Sequence, residues 1–322
     1  MVFELVKKGP TTSVGPRNDR QDRMLSRRRF AKLALWGSVL TPTAAGFYGW
    51  QIEPHWVDLV RRDLLIPLLP GTLEGKTLVH LSDLHVGPRV DSNYLIEVFR
   101  RVQRLRPDFV TITGDWITYR EPFQLGPLQR VLEHLPHGRL GTVGVLGNHD
   151  YGRGWRMGEV ADQVTAAVRD AGATILRNQA IHLQGLTFVG LEDLWGPHFG
   201  PESILAAHKG NSSLVVLCHN PDAADLPVWD AFTGWILAGH THGGQCKPPF
   251  LPPPLLPVRN RRYTAGEFDL AGNRRLYINR GLGHLIQVRF NVRPEITLFR
   301  LCGDQAGSAG FHEESHGGGR SL

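Results

Sequence analysis

Five short polar motifs each follow a run of apolar residues that is predicted to form a β-strand. Because the carboxyl ends of strands in α/β sheets meet at one edge, the loops that follow them converge into a crevice. One such motif alone predicts no more than a turn, but five in order predict a single shared site. The motifs are Asp83-Leu-His85, Gly114-Asp115, Gly147-Asn-His-Asp150, His219-Asn-Pro221 and Gly239-His-Thr-His-Gly-Gly-Gln245.

The side chains in these motifs are of the kinds that bind divalent metal ions. They provide two carboxylates, one amide oxygen and four imidazoles: Asp83, His85, Asp115, Asn148, His219, His240 and His242. That set is large enough for two ions that share a carboxylate, and ions about 3.5–4 Å apart can activate water for an in-line phosphoryl displacement. Nitrogen and oxygen ligands without thiolate favour Mn, Fe or Zn over Ca or Cu(I).

Composition narrows the class of protein. The chain has 322 residues, of which 41% are hydrophobic and 20% charged, so it can bury a sizeable core. Its three cysteines are too few and too scattered for a disulfide framework or a cysteine zinc site. The net charge of +6 comes with an arginine-rich N-terminal stretch. Since the rest of the chain has little basic clustering apart from Arg259 to Arg262, no specific nucleic-acid partner is expected.

The N-terminus resembles a twin-arginine export signal. Ser26-Arg27-Arg28-Arg29-Phe30-Ala31-Lys32 precedes an apolar run from Leu33 to Trp50. The run is about 18 residues long, near the lower limit for spanning a bilayer, so both a released protein and an N-terminally anchored one are open. The predicted partner is the twin-arginine export machinery. The predicted location is the periplasm or the outer face of the cytoplasmic membrane.

Periodicity predicts an α/β fold with two packed sheets flanked by helices. In the first helix Leu95, Phe99 and Val102 share a face, and Ser92 is expected to cap it. The chain is expected to comprise a signal or anchor (1–51), one domain (52–302) and a disordered tail (303–322). The predicted strands are 77–81, 109–113, 141–146, two or three within 174–190, 214–218, 235–238, 276–278, 286–288 and 296–301, and the predicted helices are 92–104, 128–135 and 159–170.

The order of the five motifs resembles the calcineurin-like metallophosphoesterases over roughly residues 75–300. The resemblance implies a four-layer α/β/β/α sandwich of two mixed sheets. It also implies that His149 is an unligated histidine that contacts the phosphoryl oxygen or protonates the leaving group. By the same resemblance, one metal ion is held by Asp83, His85, Asp115 and His242, and the other by Asp115, Asn148, His219 and His240.

Further stretches are similar to the YkuE/YaeI branch of exported or single-anchor bacterial phosphodiesterases. They include Ile52-Glu-Pro-His-Trp56, Gly281-Leu-Gly283 and Arg289-Phe-Asn-Val-Arg-Pro-Glu-Ile296. The branch is related in pattern to UDP-2,3-diacylglucosamine hydrolases, although an export signal points away from that cytoplasmic substrate. Trp116-Ile-Thr118 after the second motif departs from the Ser/Thr protein phosphatases.

The function expected from this is hydrolysis of a phosphodiester or pyrophosphate in a phospholipid or other envelope compound. Two alternatives stay open. One is a nuclease or cyclic-nucleotide phosphodiesterase, because the same site cleaves those diesters. The other is an exported metal- or lipid-binding protein without turnover.

Several single residues have two interpretations each. Asp150 either orients His149 or holds a turn, and Asn220 and Gln245 either contact the phosphate region or have a structural role. His80 lies inside an apolar strand and is expected to be a core histidine. The proline-rich segment 247–257 follows the last motif, and it is either a stiff loop or a rim of the site that contacts lipid. In the rim interpretation apolar side chains meet an acyl chain or a bilayer, and Lys247 and Arg259 attract anionic head-groups. Those apolar side chains are Phe250, Leu251, Leu255 and Leu256.

Overall fold

A computed structural model describes residues 27–120, 125–210, 213–229 and 232–303. The chain divides into two units, Met1–Gly46 and Phe47–Leu322, and the domain boundaries predicted at residues 51 and 302 stay predictions. The helices are α1 (Arg27–Phe47), α2 (Ser92–Arg104), α3 (Gly126–Leu132), α4 (Gly158–Asp170) and α5 (Glu202–Ala207). The strands are β1 (Asp58–Ile66), β2 (Thr77–Leu81), β3 (Phe109–Thr113), β4 (Gly141–Val145), β5 (Thr174–Ile175), β6 (Gln179–Leu183), β7 (Leu186–Gly190), β8 (Leu214–Leu217), β9 (Gly234–Ala238), β10 (Gly266–Leu270), β11 (Arg274–Ile278) and β12 (Glu295–Gly303).

The strands form two mixed six-stranded sheets. The first has the order β1-β12-β2-β3-β4-β5, and β12 is antiparallel to β2 while its other pairs are parallel. The second has the order β10-β11-β9-β8-β7-β6, with antiparallel pairs at both edges and parallel pairs between them. In each sheet, the strands that precede the polar motifs are parallel neighbours.

The two sheets pack face to face through the side chains that point inward from each. Alternate residues of a strand point to opposite faces, so Leu78 and Phe109 enter the core shared with Phe188 and Leu217 of the second sheet. Their neighbours point the other way and pack under α2, α3 and α4. The outer face of the second sheet is covered by α5 and by the segment around Trp229. The predicted α/β architecture of two mixed sheets flanked by helices is therefore confirmed.

Local details differ from the sequence-based predictions. The cap of α2 is Asp91, whose side chain accepts a hydrogen bond from the Asn93 N–H at 2.9 Å, and Ser92 is the first helical residue. The strand predicted at 286–288 is wrong, because this segment turns on itself: the Val288 N–H donates to the Ile286 carbonyl. Strand β1 has no counterpart among the predicted strands because charged residues interrupt its apolar pattern, and it is an edge strand with one partner strand.

The ends of the chain are described only in part. Within the N-terminal apolar run, residues up to Phe47 belong to α1, which contains Pro42. Among the described residues, no helix has both the length and the apolar character needed to cross a membrane. The tail predicted to be disordered lies, beyond Gly303, outside the described residues, as does the part of the export signal before Arg27.

Candidate metal centre

The five motifs meet at one edge of the two sheets. They follow β2, β3 and β4 of the first sheet and β8 and β9 of the second, as their order in the sequence predicts. Five of the seven candidate ligands have a left-handed backbone, with φ between 49° and 70°. This conformation is uncommon for residues other than glycine, and such strained residues cluster at functional sites. The five are Asp83, His85, Asp115, His240 and His242.

One group of side chains consists of Asp83, His85 and His242, all buried. The Nε2 atoms of the two histidines lie 3.0 Å apart, and the Nε2 of His242 lies 3.2 Å from Oδ1 of Asp83. Ligand atoms about 2.1 Å from one ion and near a right angle to each other lie about 3 Å apart. The spacing of this group therefore fits one divalent ion.

The second group consists of Asp115, His219 and His240, also buried. The Nε2 of His219 lies 3.2 Å from Oδ2 of Asp115 and 3.0 Å from Nδ1 of His240. The same Oδ2 atom lies 3.5 Å from Nε2 of His85 in the first group. Asp115 is thus placed between the two groups, where a carboxylate shared by two ions would be.

Asn148 supplies an independent indication of a ligand. It is 1% exposed, and its Oδ1 atom is buried without a hydrogen-bond partner. An unpaired buried amide oxygen costs roughly 1–3 kcal/mol, so such atoms are rare unless a ligand or ion accepts the lone pair. Its neighbour His149 donates its backbone N–H to Oδ1 of Asp115 at 2.9 Å, which holds this loop against the second group.

Backbone carbonyls determine which ring nitrogens face the centre. Nδ1 of His219 lies 2.7 Å from the carbonyl oxygen of Thr113, and Nε2 of His240 lies 2.8 Å from that of Pro257. Because a carbonyl can only accept, those nitrogens carry the proton. The opposite nitrogens then face the centre, and bonds of this kind commonly orient metal-binding imidazoles.

Burial shapes the charge of Asp83 and of three histidines in the two groups. Burial lowers the pKa of His85 and of His240 to about 3, and it lowers the pKa of His242 well below its ordinary value. These imidazoles are therefore neutral near neutral pH, which is the form that binds metal. Burial also raises the pKa of Asp83 to about 6, against the opposing charge of His219.

Asp115 and His219 form the charged pair of the second group. Burial alone would raise the pKa of Asp115, but the positive charge of His219 holds it well below its usual value. Burial alone would lower the pKa of His219, and the carboxylate of Asp115 raises it well above the ordinary value. A metal ion here would take the place of the proton between them. The residues present therefore fit a pair of divalent ions.

The hydrogen bonds of Asp150, Asn220 and Gln245 hold the backbone of loops around the centre. Both oxygens of Asp150 accept backbone N–H groups, from Ile117 at 3.1 Å and Gly147 at 2.8 Å, so Asp150 holds the turn. Asn220 accepts from the Asp222 N–H at 3.0 Å. The Nε2 of Gln245 donates to two carbonyls of the 285–290 segment, each at 3.0 Å.

His149 borders the open side of the centre. Its ring meets the ring of His85 edge to face, with centroids 5.1 Å apart, and it is partly exposed. It also lines a cavity of about 630 Å³ that reaches both ligand groups. His149 therefore faces the cavity beside both ligand groups and belongs to neither of them.

The cavity walls are largely apolar and come from residues that sequence reasoning missed. Trp155 and Trp195 stack with centroids 5.0 Å apart, and Trp195 meets the ring of His240 edge to face at 4.5 Å. The sequence could have indicated Trp195, because Leu191-Glu-Asp-Leu-Trp195 follows β7 in the same way as the five motifs follow their strands. Among the described residues that line the cavity, Arg261 is the one arginine or lysine. The remaining apolar walls are formed mainly by Pro254, Leu255, Leu256, Leu285, Ile286 and Val288.

Comparison with known proteins identifies similar chains. Residues 76–244 match the calcineurin-like phosphoesterase family model. The chain is 30% identical to the phosphodiesterase YaeI of Escherichia coli, over 86% of this chain and 100% of YaeI. It is 33% identical to the metallophosphoesterase YkuE of Bacillus subtilis, over 86% of this chain and 98% of YkuE. It is 26% identical to the UDP-2,3-diacylglucosamine pyrophosphatase LpxG of Chlamydia muridarum, over 83% of this chain and 96% of LpxG.

Proposed function

The chain belongs to the calcineurin-like phosphoesterase family, and from that premise we propose that it hydrolyses a phosphodiester or pyrophosphate bond in a lipid-linked envelope compound. Family membership carries the general activity, that of a metal-dependent phosphoric ester hydrolase. The observation that supports the substrate class is the cavity, which has the two ligand groups at its base and apolar walls above them.

The charge of the cavity favours a diester over a monoester. A phosphomonoester is largely dianionic near neutral pH, because its second pKa is near 6, and its recognition commonly uses additional arginine or lysine side chains. The described lining offers Arg261 alone. A diester carries one negative charge and has two substituents, and the apolar walls can accept an acyl-bearing substituent.

Each group in the site then has a role. Asp83, His85, Asp115 and His242 would hold one divalent ion, and Asp115, Asn148, His219 and His240 the other, with Mn, Fe and Zn the metals that this donor set suits. When bound, the ions supply an acidic water molecule and positive charge at the phosphoryl oxygens. His149 contacts a phosphoryl oxygen or gives a proton to the leaving oxygen. Trp155 and Trp195 form the wall beside His149 and His240.

The names of two relatives agree with this substrate class. YaeI is named a phosphodiesterase and LpxG a UDP-2,3-diacylglucosamine pyrophosphatase. The latter substrate joins an acylated sugar to a nucleotide through a pyrophosphate, so its polar and apolar parts correspond to the base and the walls of the cavity.

The proposed location is outside the cytoplasm, reached by the twin-arginine route. The support is the Arg27-Arg28 pair followed by an apolar run. Changing both arginines to lysine should keep the protein in the cytoplasm, as measured by cell fractionation. Unchanged export of this variant would contradict the proposed route.

The substrate class is tested with the metal-free full-length chain supplied in turn with Mn, Fe, Zn or Mg. Hydrolysis of bis-p-nitrophenyl phosphate is compared with that of p-nitrophenyl phosphate. We expect metal-dependent turnover with a larger kcat/KM for the diester, followed by cleavage of lipid-linked diesters. A preference for the monoester would contradict the substrate class, and no turnover with any metal would contradict the activity itself.

A further inference from the structure

Six large apolar side chains are exposed around the mouth of the cavity and are here called the docking rim. Their exposed fractions range from 37% to 105%. Three of the six also line the cavity, so the cavity opens on this face. Apolar side chains scattered singly over a surface are normal, whereas a contiguous group marks an interaction site. The docking rim consists of Trp50, Phe250, Leu251, Leu255, Ile286 and Val288.

Backbone hydrogen bonds join the three segments that carry the docking rim. The Arg289 N–H donates to the Gly49 carbonyl at 2.8 Å, and the side chain of Gln287 donates to the Trp50 carbonyl at 3.3 Å. On the other side, the Lys247 N–H donates to the Phe290 carbonyl at 2.9 Å. The 285–290 segment therefore lies between the 48–52 segment and the proline-rich loop, and the six side chains belong to one surface.

Positive charge predominates in the two segments that carry five of the six docking-rim residues, and the carboxylates nearest to them, Asp222 and Asp225, contact the 259–263 end of the first segment. Neither 245–263 nor 281–294 contains an aspartate or glutamate. The first of these segments carries four exposed cations, none of which forms an ion pair with a described carboxylate. These cations are Lys247, Arg259, Arg261 and Arg262. Such a surface attracts an anionic partner.

Phe250 has no role within the fold that would explain its position. Its ring is fully exposed, and its backbone has φ of 66°, a left-handed conformation that is costly for an aromatic residue. The loop that carries it is bonded to the following segment, because the Arg261 guanidinium donates to the Pro253 carbonyl at 3.3 Å and to the Pro254 carbonyl at 3.1 Å. The protein thus presents an aromatic side chain to water in a proline-rich loop.

We infer that the docking rim binds the surface of an anionic lipid bilayer, with Phe250 and Leu251 entering the acyl boundary and the cations meeting head-groups. Apolar side chains inserted about 5–10 Å and flanked by lysine or arginine are typical of interfacial binding, and each cation near an anionic surface adds to the attraction. Trp50 is also the last residue of the N-terminal apolar run, so the docking rim is covalently next to the predicted export segment.

Binding of a bilayer at the docking rim would give a lipid substrate a direct route into the cavity. A bilayer held against the docking rim lies over the mouth of the cavity, so a lipid could pass from the bilayer between Leu255 and Ile286 to the ligand groups. This consequence rests on the proposed function, whereas binding of the bilayer does not.

The test is the depth of a spin label on the full-length chain, which is read without turnover. A nitroxide is attached at Leu251→Cys and, as a matched control, at Leu68→Cys, in a Cys246→Ser background because Cys218 and Cys302 are buried. Leu68 is 79% exposed and follows β1, which runs antiparallel to β2 and so ends on the side of the sheet away from the motifs. With vesicles that contain phosphatidylglycerol, we expect the label at 251 to be accessible to oxygen and shielded from an aqueous nickel reagent. The label at 68 should stay aqueous.

An aqueous label at 251, or equal insertion into purely zwitterionic vesicles, would overturn the inference. Changing both Phe250 and Leu251 to serine should weaken binding to anionic vesicles about tenfold or more, and Leu68→Ser should change it less than about twofold. Hydrolysis of a soluble diester should be the same in all three proteins. If the variant with serine at 250 and 251 lost equal activity on soluble and vesicle substrates, the loop would be part of the catalytic site, and its docking role would be overturned. If no substrate is hydrolysed at all, the proposed function fails while the spin-label result stands.

Discussion

Nε2 of His85 lies 3.0 Å from Nε2 of His242, although 157 residues separate them in the chain. The rings are nearly parallel, with centroids 4.9 Å apart, and burial lowers the pKa of both. A contact between two neutral imidazoles stabilises the fold little. A cation bound by both nitrogens would stabilise this arrangement much more. This relationship, together with the position of Asp115 between the groups, supports the two-metal account.

His149→Ala should separate metal binding from turnover. The side chain of His149 lines the cavity but belongs to neither ligand group. The variant should therefore retain its metal while kcat falls about 10²–10⁴-fold, the usual contribution of a general acid or base. Asp115→Ala should instead lose metal, because it removes the carboxylate between the groups. Metal content by mass spectrometry and diester kinetics on both variants check this, and a fully active His149→Ala would contradict the assigned role.

Asn148→Leu should remove one of two ions at little structural cost. Because Oδ1 of Asn148 has no hydrogen-bond partner, replacing the amide with an apolar group of similar size should not lower the free energy of unfolding of the metal-free protein. The bound metal should fall from two equivalents to one. Asn220→Leu is the control, since Oδ1 of Asn220 accepts from the Asp222 N–H. This control should retain two equivalents of metal, and its free energy of unfolding should fall by about 1 kcal/mol. Retention of two equivalents in Asn148→Leu would mean that Asn148 is not a ligand.

Gly239→Ala should disturb the first ligand group through sterics alone. A Cβ atom at Gly239 would overlap with Oγ of Ser82 and Oδ2 of Asp83, both of which are buried. Overpacking of this kind typically costs about 1–3 kcal/mol, and displacement of Asp83 should weaken metal binding. Gly126→Ala is the matched control, because a Cβ there meets nothing within 4 Å. Urea unfolding and metal titration of both variants give the comparison, and equal behaviour would contradict the close approach at Gly239.

Acidification should destabilise the protein partly through His80. Burial lowers the pKa of His80 to about 3, from an ordinary value of 6.5. Between these values the unfolded chain binds a proton that the folded chain does not, so stability falls as the pH falls, by about 1.4 kcal/mol per pH unit. His80→Gln should flatten the slope of unfolding free energy against pH between about 6 and 4 in the metal-free protein. Identical slopes in the variant and the parent would show that His80 does not contribute.

Much of the fold and the convergence of the motifs could be predicted because both depend on local patterns. Strands β2 and β3 and helix α2 have the predicted bounds, since period-2 and period-3.6 patterns are read directly from the sequence. The cap of α2 was misplaced by one residue because Asp91 and Ser92 are both good capping residues. The single-residue roles of Asp150 and Gln245 depend on which backbone groups lie nearby, which sequence does not reveal.

The cavity walls could not be predicted, because they depend on contacts between distant segments. Trp155 follows two glycines with positive φ and reaches Trp195 across 40 residues. Ile286 and Val288 were expected in a strand, but Gln245 fixes their carbonyls and leaves both side chains exposed. No periodic pattern encodes such a contact. The ligand roles of the seven motif residues stay a prediction that metal analysis must test.

The central claim is that two divalent ions, held by the two groups that share Asp115, are both needed for hydrolysis. The most direct test titrates the metal-free full-length chain with Mn²⁺ while bound metal and diester hydrolysis are measured in the same samples. We expect saturation at two equivalents per chain, with most of the activity appearing as the second equivalent binds. Saturation at one equivalent with full activity, or hydrolysis that does not depend on metal, would contradict it.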